Sequence, residues 1–275
     1  MRLFLLTTLT MIAFAANSVL NRLGILSGVD PLSFAVIRLV SGAVALAALL
    51  WLTGGGLALG GRKRLYGAVA LSIYMIGFSL AYVTLDAGVG ALILFGVVQM
   101  SVFTGVLIGG ARVSGAKWFG TGVALTGLAF LLLPGASSPD LWGAVLVACA
   151  GAGWGVYTLL GRSELDALGA TTGNFIVASL LVAVFAVLWP AERSISATGV
   201  AYAVLSGALT SAMGYALWYR ILPQLQAATA GIAQLTVPVI ALAGGIVFLG
   251  EAVTLGFVLA SALVLGGVAW SILRG

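Results

Sequence analysis

The residues able to do covalent chemistry are scarce and badly placed for it. The chain has no histidine and one cysteine, Cys149, which lies inside an apolar run. Its carboxylates are Asp30, Asp86, Asp140, Glu164, Asp166, Glu192 and Glu251, all between long apolar runs or at their ends. A Ser-His triad, a cysteine- or histidine-based metal site, an intrachain disulfide and a pair of acids facing each other across a cleft all lack their parts. No catalytic residue, no metal and no cofactor is expected. Recognition of a solute is the chemistry left.

The candidates for it are polar and aromatic groups inside apolar runs. Tyr74, Phe78 and Tyr82 recur every four residues, as do Phe95, Gln99 and Phe103, so each set shares one helical face. Such a stripe suits lipid contact, but tyrosine hydroxyls and an amide are costly there without partners, so Tyr74, Tyr82 and Gln99 are candidates to line a cavity. Trp51, Trp118, Trp142, Trp189, Trp218 and Trp270 lie near run ends, where an interfacial belt accounts for them. Trp154 is deep within a run beside Tyr157, among Gly151, Gly153 and Gly155; the glycines serve close packing or leave room for a flat solute. Asn17, Tyr215 (clustered with Trp218 and Tyr219) and Gln234 complete the candidate set. Pro238, four residues after Gln234, frees a backbone carbonyl for a ligand or a hinge, or simply kinks the helix. Arg38 is the one charge within a run. It is read as a gating or structural group that pairs with Asp86 or snorkels outward, with receipt of a substrate carboxylate left open.

The elements that must hold these residues follow from hydropathy. The chain of 275 residues is 62% hydrophobic and 7% charged, far from the roughly 25% charged typical of soluble domains. A helix needs about 20 apolar residues to span a bilayer, and the expected spans are 3–21, 32–52, 65–85, 88–109, 116–134, 141–161, 171–190, 197–218, 226–248 and 253–273. The expected class is therefore an all-α polytopic membrane protein of ten transmembrane helices with short loops. Arg2, the apolar stretch Leu3 to Met11 and Ala13-Phe14-Ala15 also have a secretory-signal profile, but the repeat described next needs this segment as its first span. Nine Lys and Arg residues (Arg2, Arg62, Lys63, Arg64, Arg112, Lys117, Arg162, Arg220, Arg274) fall on one side of ten spans and Arg22 and Arg193 on the other. That imbalance places both termini in the cytoplasm and accounts for the positive charge without nucleic acid.

A shift of 140 residues lays the first five spans on the last five. Arg22 meets Arg162, Phe14 meets Trp154, Asn17 meets Tyr157, Gly67-Ala68 meets Gly207-Ala208, Gly110 meets Gly250 and Gly127 meets Gly267. Five spans per unit is odd, so residues 1–137 and 138–275 are expected to enter the membrane in opposite senses, as inverted repeats with a site near the midplane between them.

The pattern Phe34…Arg38 after Pro31, the stretch Gln234…Pro238, and Phe248-Leu-Gly-Glu251 followed by Gly266-Gly267-Val268 resemble the drug/metabolite transporter superfamily, EamA type, over essentially the whole chain. The first unit departs from it, with Gly110-Ala111-Arg112 where Gly-Glu is the pattern. The resemblance implies two five-helix units, a bacterial inner-membrane location, and export of amino acids, aromatic ones included, or similar metabolites. With no Asp, Glu or His inside a span, facilitated movement or exchange is expected in place of a proton relay. The expected partners are a small-molecule substrate and the lipid bilayer, with the protein acting as a monomer. The weakly charged interior favours a neutral, partly apolar solute over a phosphorylated one.

Overall fold

The computed structural model describes residues 1–110, 113–133, 139–161, 164, 166–225 and 227–274, apart from the side chains of residues 106 and 227–232. The sequence comparisons involving Ala111, Arg112 and Arg162 lie outside the described residues. In chain order the helices are α1 (Arg2–Leu26), α2 (Pro31–Leu52), α3 (Arg62–Ala81), α4 (Ala87–Ile108), α5 (Gly115–Leu131), α6 (Leu141–Gly161) and α7 (Ala167–Leu188). Next, α8 (Ala197–Val204) runs through a π-helical stretch (Leu205–Met213) into α9 (Gly214–Ile221), followed by α10 (Ala227–Leu249) and α11 (Leu255–Arg274).

Among the described residues, eight of these segments are long and apolar enough to cross a membrane, α8 through α9 counting as one. The helix α5, at 17 residues, rises about 25 Å, short of a full hydrocarbon core. α3 ends at Ala81, four residues before the expected limit, because the chain turns at Tyr82 to Leu85 to let Asp86 precede α4. Side chains such as Phe4, Val44, Leu180 and Val187 stay exposed on the outside of the bundle, which is tolerable only where lipid replaces water.

The loop acids explain where several helices begin. Asp30 accepts the Ser33 N–H at 3.0 Å with Pro31 at the first helical position, Asp140 accepts from Gly143 at 2.6 Å, and Asp166 accepts from Gly169 at 3.0 Å. These carboxylates cap amides that lipid could not satisfy.

Alternate loops gather at opposite ends, as through-going helices require. At one end, here the Asp30 face, Arg193 reaches Asp30 at 3.1 Å and Thr84 donates to Asp140 at 3.1 Å. There Glu251 also accepts the Ala87 N–H at 2.6 Å and the Gly88 N–H at 3.4 Å. At the other, the Arg64 face, Arg64 and Lys63 reach Glu164 at 2.6 and 3.0 Å.

Packing between helices follows the glycines. α3 and α4 both lie on α6, α2 lies on α7, and α1 lies on α10 and along α8 through α9. α5 lies on α11, where Gly120 faces the Gly267 backbone, and α2 lies on the π-helical stretch, where Gly207 faces the Arg38 carbonyl and Ser41. A Cβ at either glycine would collide with backbone, so small residues here set the distance between helices.

Candidate functional site

The aromatic residues singled out by spacing converge at the centre of the bundle. Trp154, from α6, is the hub. Its ring lies 5.2 Å from Tyr74, 5.5 Å from Tyr157 in a stacked arrangement, 4.8 Å from Tyr215 and 6.1 Å edge-on from Phe14. Phe14 and Trp154, the pair that the 140-residue shift superimposes, are thus in contact. Phe14, Asn17, Ser18, Tyr74, Phe78, Leu94, Phe95, Trp154 and Tyr215 line a small cavity of about 20 Å³. The side chains leave free room for little more than a water molecule, so a solute enters only if the rings part.

One wall is polar. Asn17 is buried, and its carbonyl oxygen accepts from Ser206 at 2.8 Å, Thr210 at 2.7 Å and Ser211 at 3.1 Å. All three hydroxyls come from the π-helical stretch. A π-helical turn inserts an extra residue per turn and is often retained at functional sites; here it brings three hydroxyls onto one amide. The amide nitrogen of Asn17 donates to the Ala13 carbonyl at 3.2 Å.

Arg38 requires a correction. The expected pair with Asp86 is not formed, and the side chain does not snorkel: it is fully buried. Its Nε donates to Ser211 at 3.0 Å and its Nη2 to the Tyr74 hydroxyl at 3.0 Å. The guanidinium carbon lies 4.9 Å from the Phe78 ring centre and 5.4 Å from that of Tyr74. α2 turns this residue inward because its other inward positions (Phe34, Ala35, Leu39, Gly42) form the same buried stripe. Asp86 is instead half-exposed, 4.0 Å from Arg22, which also donates to the carbonyls of Tyr82 and Val83.

The remaining expectations divide. Tyr82 is fully buried but behind the cavity, its hydroxyl donating to Ser18 at 2.9 Å and its ring edge-on to Phe78. Tyr157 points toward the Arg64 face, where Asn174 donates to its hydroxyl at 3.4 Å. Gln99 and Gln234 are partly buried and outside the cavity wall, Phe103 packs edge-on to Trp118 instead, and Pro238 is buried within α10. Trp218 is buried against Phe14, so it departs from the interfacial belt that its position near a span end suggested.

Two further clusters lie toward the ends of the bundle. On the Arg64 face, Arg64 Nη1 donates to the Ala170 carbonyl at 3.1 Å and to Asn174 at 3.3 Å, beside the pairs to Glu164. A small cleft of about 10 Å³ lies against them, lined also by Tyr157, Thr171 and Tyr219. Burial raises the Glu164 carboxyl, but hydrogen bonds from Lys63 and Arg64 outweigh it and hold the group below its ordinary range. On the Asp30 face Val29, Phe34 and Ala203 form a buried apolar cluster, with the Phe34 ring over Gly24. The ion pair of Asp30 with Arg193 lies beside it. Ser206, Thr210, Ser211, Arg64 and Asn174 were not singled out by sequence. Small hydroxyls and a basic residue near a span end read as packing and topology until their partners are seen.

An apolar-clad helical bundle around a central aromatic cluster defines a multi-pass membrane protein. The EamA-like transporter family matches the second half of the chain, residues 141–273. The uncharacterized protein PA1977 of Pseudomonas aeruginosa is 46% identical over 98% of this chain and 93% of its own length. The uncharacterized transporter YoaV of Bacillus subtilis is 24% identical over 87% of this chain and 86% of its own. The threonine/homoserine exporter RhtA of Salmonella typhimurium is 39% identical over 48% of this chain and 46% of its own. A solved crystal structure with a TM-score of 0.66 and 18% identity, covering 96% of each chain, shares the fold.

Proposed function

We propose that this transporter exports small neutral metabolites, amino acids including aromatic ones, from the bacterial cytoplasm across the inner membrane. It works by alternating access between two inverted five-helix repeats, residues 1–137 and 138–275, and ten spans in all. The observation that carries the reading is the central cavity. It is contributed by α1, α3 and α4 of the first half and by α6 and α9 of the second, and it has aromatic walls, one amide and no carboxylate. Helix packing supports the repeat, since the contacts of α3 and α4 with α6 are mirrored by those of α8 through α9 and of α10 with α1. RhtA, the threonine/homoserine exporter, supports the amino-acid class, and the aromatic walls support the resemblance to the aromatic-amino-acid exporter YddG. The same walls would also accept other amphipathic solutes or drugs.

In this reading the sealed cavity is an intermediate between two open states, and the clusters at the Arg64 and Asp30 faces are seals that break in turn. The basic Arg64 face is cytoplasmic, and the protein acts as a monomer. Without a carboxylate in the cavity wall, movement is by exchange or facilitated flow. The test is counterflow of a labelled amino-acid panel in proteoliposomes, with and without an imposed pH gradient, repeated with Trp154→Ala. Expected are saturable exchange, loss in the variant, and no strong accumulation driven by the gradient. A panel in which no amino acid exchanges overturns the substrate reading.

A further inference from the structure

We propose that Arg38 is the subsite for a carboxylate on the cargo, so that the solutes carried are small monocarboxylates, α-amino acids among them. This rests on the transporter reading above and narrows its substrate. A guanidinium offers five N–H donors. That of Arg38 is fully buried and spends Nε on Ser211 and Nη2 on Tyr74, both neutral oxygens, while Nη1 has no hydrogen-bond partner among the described residues. No carboxylate of the chain is available to it. Asp30, Glu164 and Asp86 are engaged at the ends of the bundle with Arg193, Lys63 and Arg64, and Arg22 respectively, and Glu251 is held by the α4 amides. Asp140 and Asp166 cap helices, and Glu192 lies in the loop before α8.

Burying a cation with no counter-ion is expensive, several kcal/mol even after relaxation, and a membrane interior does not relieve that cost. The cation lies directly behind the cavity wall, one side chain away from a bound solute. Tyr74 and Phe78, the rings in contact with it, are both walls of the central cavity. Ser211, its third contact, belongs to the hydroxyl cluster on Asn17. The Tyr215 hydroxyl, also on the cavity wall, is buried and has no hydrogen-bond partner among the described residues.

A single arginine matches one negative charge. A carboxylate can take the fork of a guanidinium with two parallel hydrogen bonds, and the ammonium of an amino acid can then lie against the faces of Trp154 and Tyr215. A phosphate ester would bring a second negative charge with no partner. The charge that the protein buries alone is completed by the cargo, which makes occupancy by the right solute part of stable closure.

The experiment compares free acids with their amides on the purified protein. In detergent, threonine, phenylalanine and 3-phenylpropanoate are titrated against threonine amide, phenylalanine amide and 3-phenylpropanamide, reading the shift in unfolding temperature. In proteoliposomes the same compounds compete against labelled threonine and labelled 3-phenylpropanoate in counterflow. Free acids are expected to bind about tenfold or more tightly than their amides, the scale of one charge-assisted hydrogen bond. Arg38→Gln is expected to erase the acid-over-amide preference and Arg38→Lys to keep part of it. If Arg38→Gln does not fold, the comparison on the unaltered protein and on Arg38→Lys decides. Equal binding of acids and amides, or binding of neither, overturns the proposal. Response to 3-phenylpropanoate but to no amino acid supports the Arg38 subsite while overturning the amino-acid reading.

Discussion

Asn17 collects three hydroxyl donors, and Thr210 alone among them has a second acceptor, the Ser206 carbonyl. Removing the amide leaves at least two buried hydroxyls to find new partners. Polar contacts within membrane bundles are worth about 0.6–2 kcal/mol each. Asn17→Ala is therefore expected to lower stability by about 1–2 kcal/mol, read as a lower denaturation midpoint in detergent by tryptophan fluorescence. An unmoved midpoint would show that the cluster on Asn17 is dispensable. The same residue shows what spacing alone conveys. An asparagine inside an apolar run announces that it needs partners, but Ser206, Thr210 and Ser211 are almost two hundred positions away along the chain. Arg38 carries the opposite lesson. Its charge was legible, its partner was not, and the nearest plausible acid in sequence terms, Asp86, is held by Arg22 at the surface.

At the scale of helices, close approach decides function. Gly207 lets the π-helical stretch lie on α2 directly beside the Arg38 carbonyl, while Gly122 of α5 has open space around it. Gly207→Val is expected to cost about 1–3 kcal/mol and to abolish exchange by pushing the hydroxyl cluster off Asn17. Gly122→Ala is expected to stay within about 0.5 kcal/mol. The check is paired denaturation and counterflow, and equal behaviour of the two variants would remove the argument. The glycines that match under the 140-residue shift were visible in the sequence. That Gly67 faces Asn174 and Gly207 faces Arg38 was not, because the partner helices are named only by packing. Likewise nothing local marks Leu205–Met213 as π-helical; the hydroxyls of Ser206, Thr210 and Ser211 converge on Asn17 through tertiary contact.

For the whole molecule, the two faces are closed by different chemistry. Under the 140-residue shift Asn174 corresponds to Phe34 and Arg64 to Val204, so a polar latch at one end answers an apolar plug at the other. Because the Glu164 carboxyl is held below its ordinary value of 4.5, its contribution to closure is complete above that pH. It fades as pH falls through the lowered folded value. Glu164→Gln should loosen the Arg64 face at neutral pH. With Cys149→Ser as background and Thr171→Cys as reporter in the cleft, thiol labelling at neutral pH should speed up several-fold in that variant, and unchanged labelling would refute the latch. At the Asp30 face burial raises the Glu251 carboxyl, with Asp86 adding to the effect, against the pull of the Ala87 and Gly88 amides. The sign is therefore reversed: its stabilising effect is greatest at low pH and declines as pH rises above 4.5 through the raised folded value. Topology gives one more expectation. Reporter fusions at either end should be active only in the cytoplasm, and a periplasmic reading at one end would break the ten-span arrangement.

Hydropathy and the scarcity of charge determined by themselves that this is a multi-pass membrane protein. They also picked out Tyr74, Phe78, Phe95, Trp154, Tyr215 and Asn17, all of which line the cavity. These are properties a segment carries alone, since lipid selects apolar helices one at a time and a polar group within one is conspicuous. Only the tertiary structure decided that Gln99 and Gln234 stand outside the cavity wall and that Trp218 is buried against Phe14. It also decided that Arg38 is enclosed without an acid and that Arg64 joins Glu164 and Asn174. Each of those facts is a pairing between distant helices, and in a bilayer such pairings are set by shape and hydrogen bonding, since apolar character is the same on every face.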